Sequence, residues 1–328
     1  MSYSNTVSQT VFSTRKVIDS AFRRCRVMAE QITSEHIAIA NDQLYLLLSE
    51  LANDGAPLWC VQKSIYPLYE GNNAVVTFSG TVDILNATLR SAPEATGTDT
   101  VTTTEYKTDF TDDVAVATIG LRWSSTPVDI ILQRSDDGVT WSTGQTESPT
   151  VSSGEWSWYD LGTVVAARYF RIVASTGTFS FSQVYYGTAP TEIPLSRMNR
   201  DQYTNLPNKT FTSSRPLQYW LDRQSLSPVL NLWPVPDAGA GTSQIVVWAH
   251  RHIMDVGTMT QEIEVPQRWL NAITSSLASR IAREIPEADP AMIPMLDSDT
   301  MTAMNKAQTE ERDNSPIMWQ PNISGYTR

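Results

Sequence analysis

Three histidines, His36, His250 and His252, are the first residues to consider for acid–base or metal chemistry. On a strand, His250 and His252 would point to one face. Two imidazoles there would hold a metal only with a third ligand, and Asp255 is the nearby candidate. His36 falls on the polar flank of a helical stripe, a place for a solvated or capping side chain. Cys25 and Cys60 each lie inside an apolar pattern, without CxxC or Cys/His spacing, and read as buried free thiols. Asp136-Asp137-Gly138 puts two carboxylates in a row but lacks the spaced oxygen ligands of a calcium loop, so it reads as a hairpin turn. Glycoside hydrolysis needs two carboxylates across a cleft, and the spacing of the acids nominates no pair. There is no GxSxG, P-loop or HExxH. The expectation is of no catalytic residue, no metal, no cofactor and no enzyme.

The aromatic residues say more. Trp156 and Trp158 alternate, with Tyr159 beside them, and exposed aromatic faces stack on sugar rings or on proteins. These three form a candidate binding face, set against the reading that the rings fill a core or cover a sheet edge. The end of the chain carries Pro316, Ile317, Met318, Trp319, Gln320, Pro321, Ile323 and Tyr326 without any period. Such a segment is a poor solvated terminus and a good docking peptide, because large apolar groups anchor interfaces.

The elements that must position these residues follow from periodicity. Ile18, Ala21, Phe22, Cys25, Met28, Ala29 and Ile32 predict one helix, and Ile37, Asn41, Leu44, Leu47, Leu48 and Leu51 a second, packed antiparallel to the first. Asn53-Asp54-Gly55-Ala56-Pro57 stops the second helix. Strand-like runs follow from Trp59 to Phe78 and from Thr81 to Arg90. A Thr-rich linker spans Thr96 to Thr104. Beyond it, short alternating runs with turns between them predict an all-β sandwich. Residues 215–220, 230–237 and 245–248 read as a small sheet. A long helix opens at Pro266 and buries Trp269, Leu270, Ile273, Leu277, Ile281 and Ile285. Pro286, Pro290 and Pro294 interrupt before a last helix over residues 295–312.

The predicted fold class is thus α+β: an antiparallel helical bundle with a small β-sheet, an inserted all-β sandwich and an extended C-terminal tail. The domain boundaries are 1–95 and 191–312 for the two halves of the host, 96–190 for the sandwich and 313–328 for the tail. A surface loop accepts such an insertion at little extra closure entropy.

Bulk properties narrow the function. The 328 residues suffice for two domains, and the net charge is −11 with 18% charged residues. Eleven acids against five bases lie between Thr98 and Thr188, so more than half of that charge belongs to the sandwich. Held nucleic acid or an anionic membrane needs clustered cations, and Arg23, Arg24 and Arg26 spread around their helix. The first residues show no basic region followed by an apolar one, so no signal peptide is expected, and no apolar run reaches the ~18 residues that span a bilayer. A soluble product of a cytoplasm is expected.

Three stretches carry a resemblance. The opening helical pair runs to Trp59 and leads into Thr81-Val82-Asp83-Ile84-Leu85-Asn86-Ala87. Arg215-Pro216-Leu217-Gln218-Tyr219-Trp220-Leu221-Asp222-Arg223 precedes Leu232-Trp233-Pro234-Val235-Pro236. Val265-Pro266-Gln267-Arg268-Trp269-Leu270 opens the long helix. Across residues 1–90 and 191–328 the chain resembles the head-to-tail adaptor family of short-tailed bacteriophages, related to the tail-tubular A-type proteins. The resemblance implies a structural protein of the virion neck or tail, assembled in the host cytoplasm as a ring of about twelve copies. Portal protein would take the C-terminal tail between its subunits, and a tail nozzle or tail-tube protein would meet the lower face. DNA would pass through the acidic channel without specific binding. Within the insert, Ser135-Asp136-Asp137-Gly138-Val139-Thr140-Trp141 and Ala167-Arg168-Tyr169-Phe170-Arg171-Ile172 resemble a discoidin or galactose-binding-type sandwich. By that resemblance the insert would contact capsid, fibre or host glycan. The alternative function is a carbohydrate-binding tail or fibre component acting through this sandwich.

Overall fold

A computed structural model of the chain describes residues 12–53, 58–162, 164, 166–224, 227–254 and 257–311. Helices α1 (Thr14–Arg24) and α2 (Ser34–Asn53) lead into strands β1 (Val61–Pro67), β2 (Ala74–Val76) and β3 (Thr81–Ser91). The middle segment is all strand: β4 (Glu94–Ala95), β5 (Thr98–Val101), β6 (Glu105–Trp123), β7 (Ile130–Ser135), β8 (Gln145–Glu147), β9 (Trp156–Asp160), β10 (Ala166–Ala174) and β11 (Phe181–Thr188). There follow β12 (Thr191–Pro194), β13 (Ser196–Arg197), a short helix α3 (Arg200–Thr204), β14 (Thr212–Ser213), β15 (Gln218–Asp222), β16 (Val229–Trp233), β17 (Val235–Pro236) and β18 (Gln244–Arg251). Helices α4 (Leu270–Glu284) and α5 (Ile293–Glu310) complete the described chain. The class is α+β with more strand than helix. The chain divides into two compact units, residues 1–61 with 251–328 and residues 62–250.

The first unit is built on α4, whose apolar stripe of Ile273, Leu277 and Ile281 is buried under both α1 and α2. Val17, Ile18, Ala21 and Phe22 come from α1, and Leu44, Leu47, Leu48 and Leu51 from α2. The first two helices each pack mainly on α4 rather than on each other, which corrects the expected hairpin. The first stripe also ends early. Arg26 takes the left-handed conformation at φ 61°, turning the chain, so Met28 and Ile32 lie beyond α1 and Met28 is exposed. Pro294 sits in the first turn of α5, where its missing N–H costs nothing, and starts that helix instead of interrupting it.

The second unit holds the strands. β1, β18, β3 and β12 form one sheet in that order, and β13, β15, β16 and β2 another. The single small sheet expected from residues 215–248 is therefore split, with β18 and β15–β16 in different sheets around a shared core of Ile84, Leu89, Leu230, Leu232, Ile245 and Val247. The compact division falls at 61/62 and 250/251, because these flanking strands pack with the sandwich segment.

In the sandwich, β6 belongs to two sheets at once. Its first part pairs with β5 and β10, its second with β9 and β11. The register with β10 breaks between Ala167 and Tyr169, opposite residues 109–114, and Thr111 stands there at φ 72°. A bulge of this kind lets a strand turn a corner between packed sheets. Asp109 Oδ1 accepts the Thr111 N–H at 2.9 Å and fixes the kink. Phe110, Ile119, Leu121, Trp123, Phe170 and Ile172 fill the core between the sheets. The expected Thr-rich linker is corrected in part: Thr98–Val101 is a strand on β6. The tail residues Pro316, Ile317, Met318, Trp319, Gln320, Pro321, Ile323 and Tyr326, and Asp255, lie outside the described residues.

Candidate functional site

Register places the aromatic trio. Trp158 lies opposite Gly120 and Trp156 opposite Arg122, so the two indoles share a face of β9 as their spacing requires. They stack at 5.2 Å and 20°, and Tyr185 meets Trp158 edge-on at 5.5 Å. A Cβ at position 120 would sit 2.5 Å from the Trp158 ring, so only glycine lets the indole lie flat on β6. The face is not open. Trp156 and Trp158 are 4% and 8% exposed, covered by Ile65 of β1 and by Tyr69 just beyond it. Tyr69 also accepts the Trp156 N–H at 2.9 Å. Of the two readings of these rings, binding face or buried packing, their burial under strand segments from outside the sandwich agrees with packing. Tyr159 points to the opposite side, into the sandwich core, where burial pushes its phenol up to about 12.

The other aromatic group stands where the 136–144 segment folds over β7, β10 and β6. The Arg171 guanidinium lies 4.0 Å from the Trp141 ring centre, and the Lys107 ammonium 4.8 Å from that of Tyr169. Arg168 grips Asp109 with two bonds of 2.8 and 2.9 Å. That pairing, with the Thr111 N–H, holds the Asp109 carboxyl down to about 2. Asp137 Oδ1 accepts the N–H groups of Val139 and Thr140 at 2.8 and 2.7 Å and the Ser135 hydroxyl at 2.8 Å. These bonds hold its pKa well below the carboxylate range. Its acceptor oxygen is thus used within the turn.

Beneath this segment a cavity of about 240 Å³ opens at the β7–β8 edge of the sandwich. Its floor is apolar: Ile119, Leu132, Leu161 and Phe170. Its rim is polar, with Gln133, Arg134, Ser142, Thr143 and Gln145. Gln133 Nε2 donates to the Ser142 carbonyl at 3.0 Å, and Gln145 Nε2 to Glu147 Oε1 at 2.6 Å and to the Asp160 carbonyl at 3.1 Å. Gln133 Oε1 in turn accepts the Arg171 Nε–H at 2.9 Å, so both amides are pinned within the rim. Sequence patterning missed this site. Its residues come from β6, β7, β10, the start of β8 with the turn before it, and the chain just after β9, and only the turn's Ser142-Thr143 pair hinted at a polar rim.

The histidines do not converge. His36 is buried; its Nδ1 accepts the Thr33 N–H at 3.4 Å, and Glu287 lies 3.4 Å from its Nε2. It caps rather than being solvated. His250 is buried within β18, whereas His252 lies past the strand's end and is exposed. Among the described residues no group of three or more His, Cys, Asp or Glu is placed to hold a metal ion. Cys25 and Cys60 are buried free thiols, pushed up to about 11 by burial. No described helix is long and apolar enough to cross a membrane.

No known family and no curated protein matches the chain. Solved structures do. The C-terminal domain of a chitobiase from Bacteroides fragilis is 22% identical over 27% of this chain and 64% of that one, with a TM-score of 0.23. A fucose binding module from Streptococcus pneumoniae is 14% identical over 25% and 62%, with a TM-score of 0.21. CBM32-1 from a family 31 glycoside hydrolase of Clostridium perfringens is 14% identical over 39% and 94%, with a TM-score of 0.22. The chain spans less than two thirds of the first two structures it matches.

Proposed function

We propose that the chain is a binding protein and not a catalyst, and that its β-sandwich takes a saccharide in the cavity at the β7–β8 edge. The observation that carries this reading is the division of that cavity into an apolar floor of Leu132, Leu161 and Phe170 and a rim of amide, guanidinium and hydroxyl groups. A sugar ring has the same division, with C–H faces that leave water readily and hydroxyl edges that need partners. The volume of about 240 Å³ is below the ~300–1,000 Å³ usual for larger ligands and suits one ring. Calorimetric titration of the full chain with a panel of monosaccharides tests it. Binding of at least one sugar is expected, weakened about tenfold by Gln145→Ala, the equivalent of one lost hydrogen bond. A panel and a glycan array without a hit would remove the proposal, as would binding that Gln145→Ala leaves untouched.

A second reading keeps the head-to-tail adaptor. It is supported by the helical unit that residues 12–61 and 251–311 build together, although the interruption between them is longer than the insert the resemblance implies. Its partners would be portal protein, a tail nozzle or tail-tube protein and further copies of the chain in the virion neck. The mass of the chain mixed with portal protein, with and without residues 313–328, tests it; a monomer indifferent to portal removes it.

A further inference from the structure

In the second unit, the outer side of the sheet β13-β15-β16-β2 is largely apolar, and neither reading uses it. β15 and β16 alternate, so Tyr219, Leu221, Leu230 and Leu232 face the core while Gln218, Trp220, Asn231 and Trp233 face outward. Register sets Asn231 between Trp220 and Ala74, and Val229 between Asp222 and Val76. Tyr203 of α3 stacks on the Trp220 ring at 4.8 Å and 26°, and the Phe211 ring lies 6.3 Å from that of Trp233. Val76 is 60% exposed and Phe211 51%. Trp233 donates its indole N–H to the Asn208 carbonyl at 2.9 Å, so the ring can be covered without stranding a donor. Among the described residues of β2, β15 and β16, only Asp222 places a charge on this side.

We propose that this face pairs with the same face of a second copy of the chain across a two-fold axis. On such an axis a patch meets its own image. The amides of Gln218 and Asn231 each carry a donor and an acceptor and can satisfy an identical patch, and aromatic rings can stack on rings. A patch of one charge sign could not. A second copy also carries the net charge of −11, so approach costs least across a nearly uncharged face. Five residues of strand length and four strand widths make the face about 17 by 19 Å. With α3 and the segment around Phe211, two copies would bury on the order of 1,000 Å², the size of a weak, reversible dimer. Such pairing closes at two copies and so differs from a ring.

Sedimentation equilibrium of the full-length chain, at concentrations up to about 1 mM, tests this. A monomer–dimer equilibrium is expected, half associated at about 10–100 µM. Val76→Lys with Phe211→Lys should weaken it at least about tenfold, because like charges would meet across the axis. Val76→Glu with Phe211→Glu should do the same, and an equal mixture of the two variants should recover the dimer. Melting temperatures equal to the parent's would show that both variants fold, since both side chains are exposed. A monomer at every concentration overturns the proposal, as does a dimer that both variants retain or a mixture that stays monomeric. So does an assembly larger than a dimer that the substitutions dissolve. Sugar binding by a monomeric chain, lost in both variants, would give the face to a saccharide instead.

Discussion

Replacing Trp158 by alanine separates a structural indole from a ligand-binding one. Trp158 is 8% exposed, stacked on Trp156 and edged by Tyr185. Burying about 200 Å² of such a ring is worth about 5 kcal/mol at ~25 cal/mol per Å². Its Nε1 has no hydrogen-bond partner among the described residues, which offsets about 1–3 kcal/mol of that. Large-to-small substitution adds a cavity term, because Gly120 beneath the ring cannot fill the space. Trp158→Ala should therefore cost about 3–5 kcal/mol. Trp158→Phe, which keeps most of the packing and deletes the unpaired N–H, should cost less than about 1.5 kcal/mol. Urea denaturation of both variants, followed by far-ultraviolet circular dichroism, measures the difference. A Trp158→Ala chain as stable as the parent but weaker in sugar binding would refute the reasoning and return Trp156 and Trp158 to the role of a platform.

Other outcomes follow from buried charge and burial. Arg90, with a side chain 5% exposed, joins β3 to Asp160 of β9 at 2.5 Å and to Glu192 of β12 at 3.0 Å, and Lys63 also binds Asp160. Arg90→Leu should cost only about 1–2 kcal/mol, because Glu192 is exposed and Asp160 keeps Lys63, and adding Glu192→Gln should change that little, read from urea midpoints. Asp109 is held down to about 2 by Arg168 and the Thr111 N–H. Its contribution is thus complete above its unfolded value of about 4 and lost as pH falls through about 2. Asp109→Asn should flatten that part of the acid-unfolding curve, and an unchanged curve would discount the clamp. Because burial pushes Cys25 and Cys60 up to about 11, a thiol reagent at neutral pH should label the native chain at least about a hundredfold slower than the unfolded chain. Rapid labelling of native protein would contradict their burial.

The sequence by itself determined what lies within one element. Period two put Trp156 and Trp158 on a common face, and the 3.6 period marked the buried stripe of α4 and of α2. The Asp136-Asp137-Gly138 turn was legible because an aspartate bonds its own neighbouring amides. Tertiary structure decided everything that depends on a second element. Ile65 and Tyr69, far away in the chain, cover the indoles, and the kink at Thr111 lets β6 serve two sheets. Five chain segments meet to enclose the cavity of Gln133 and Gln145, and Val27 and Ile32 reach the Arg15–Arg23 face only because the chain turns back at Arg26. Side-chain periodicity encodes which face an element buries, but what covers that face is set by long-range register and packing, which no local pattern contains.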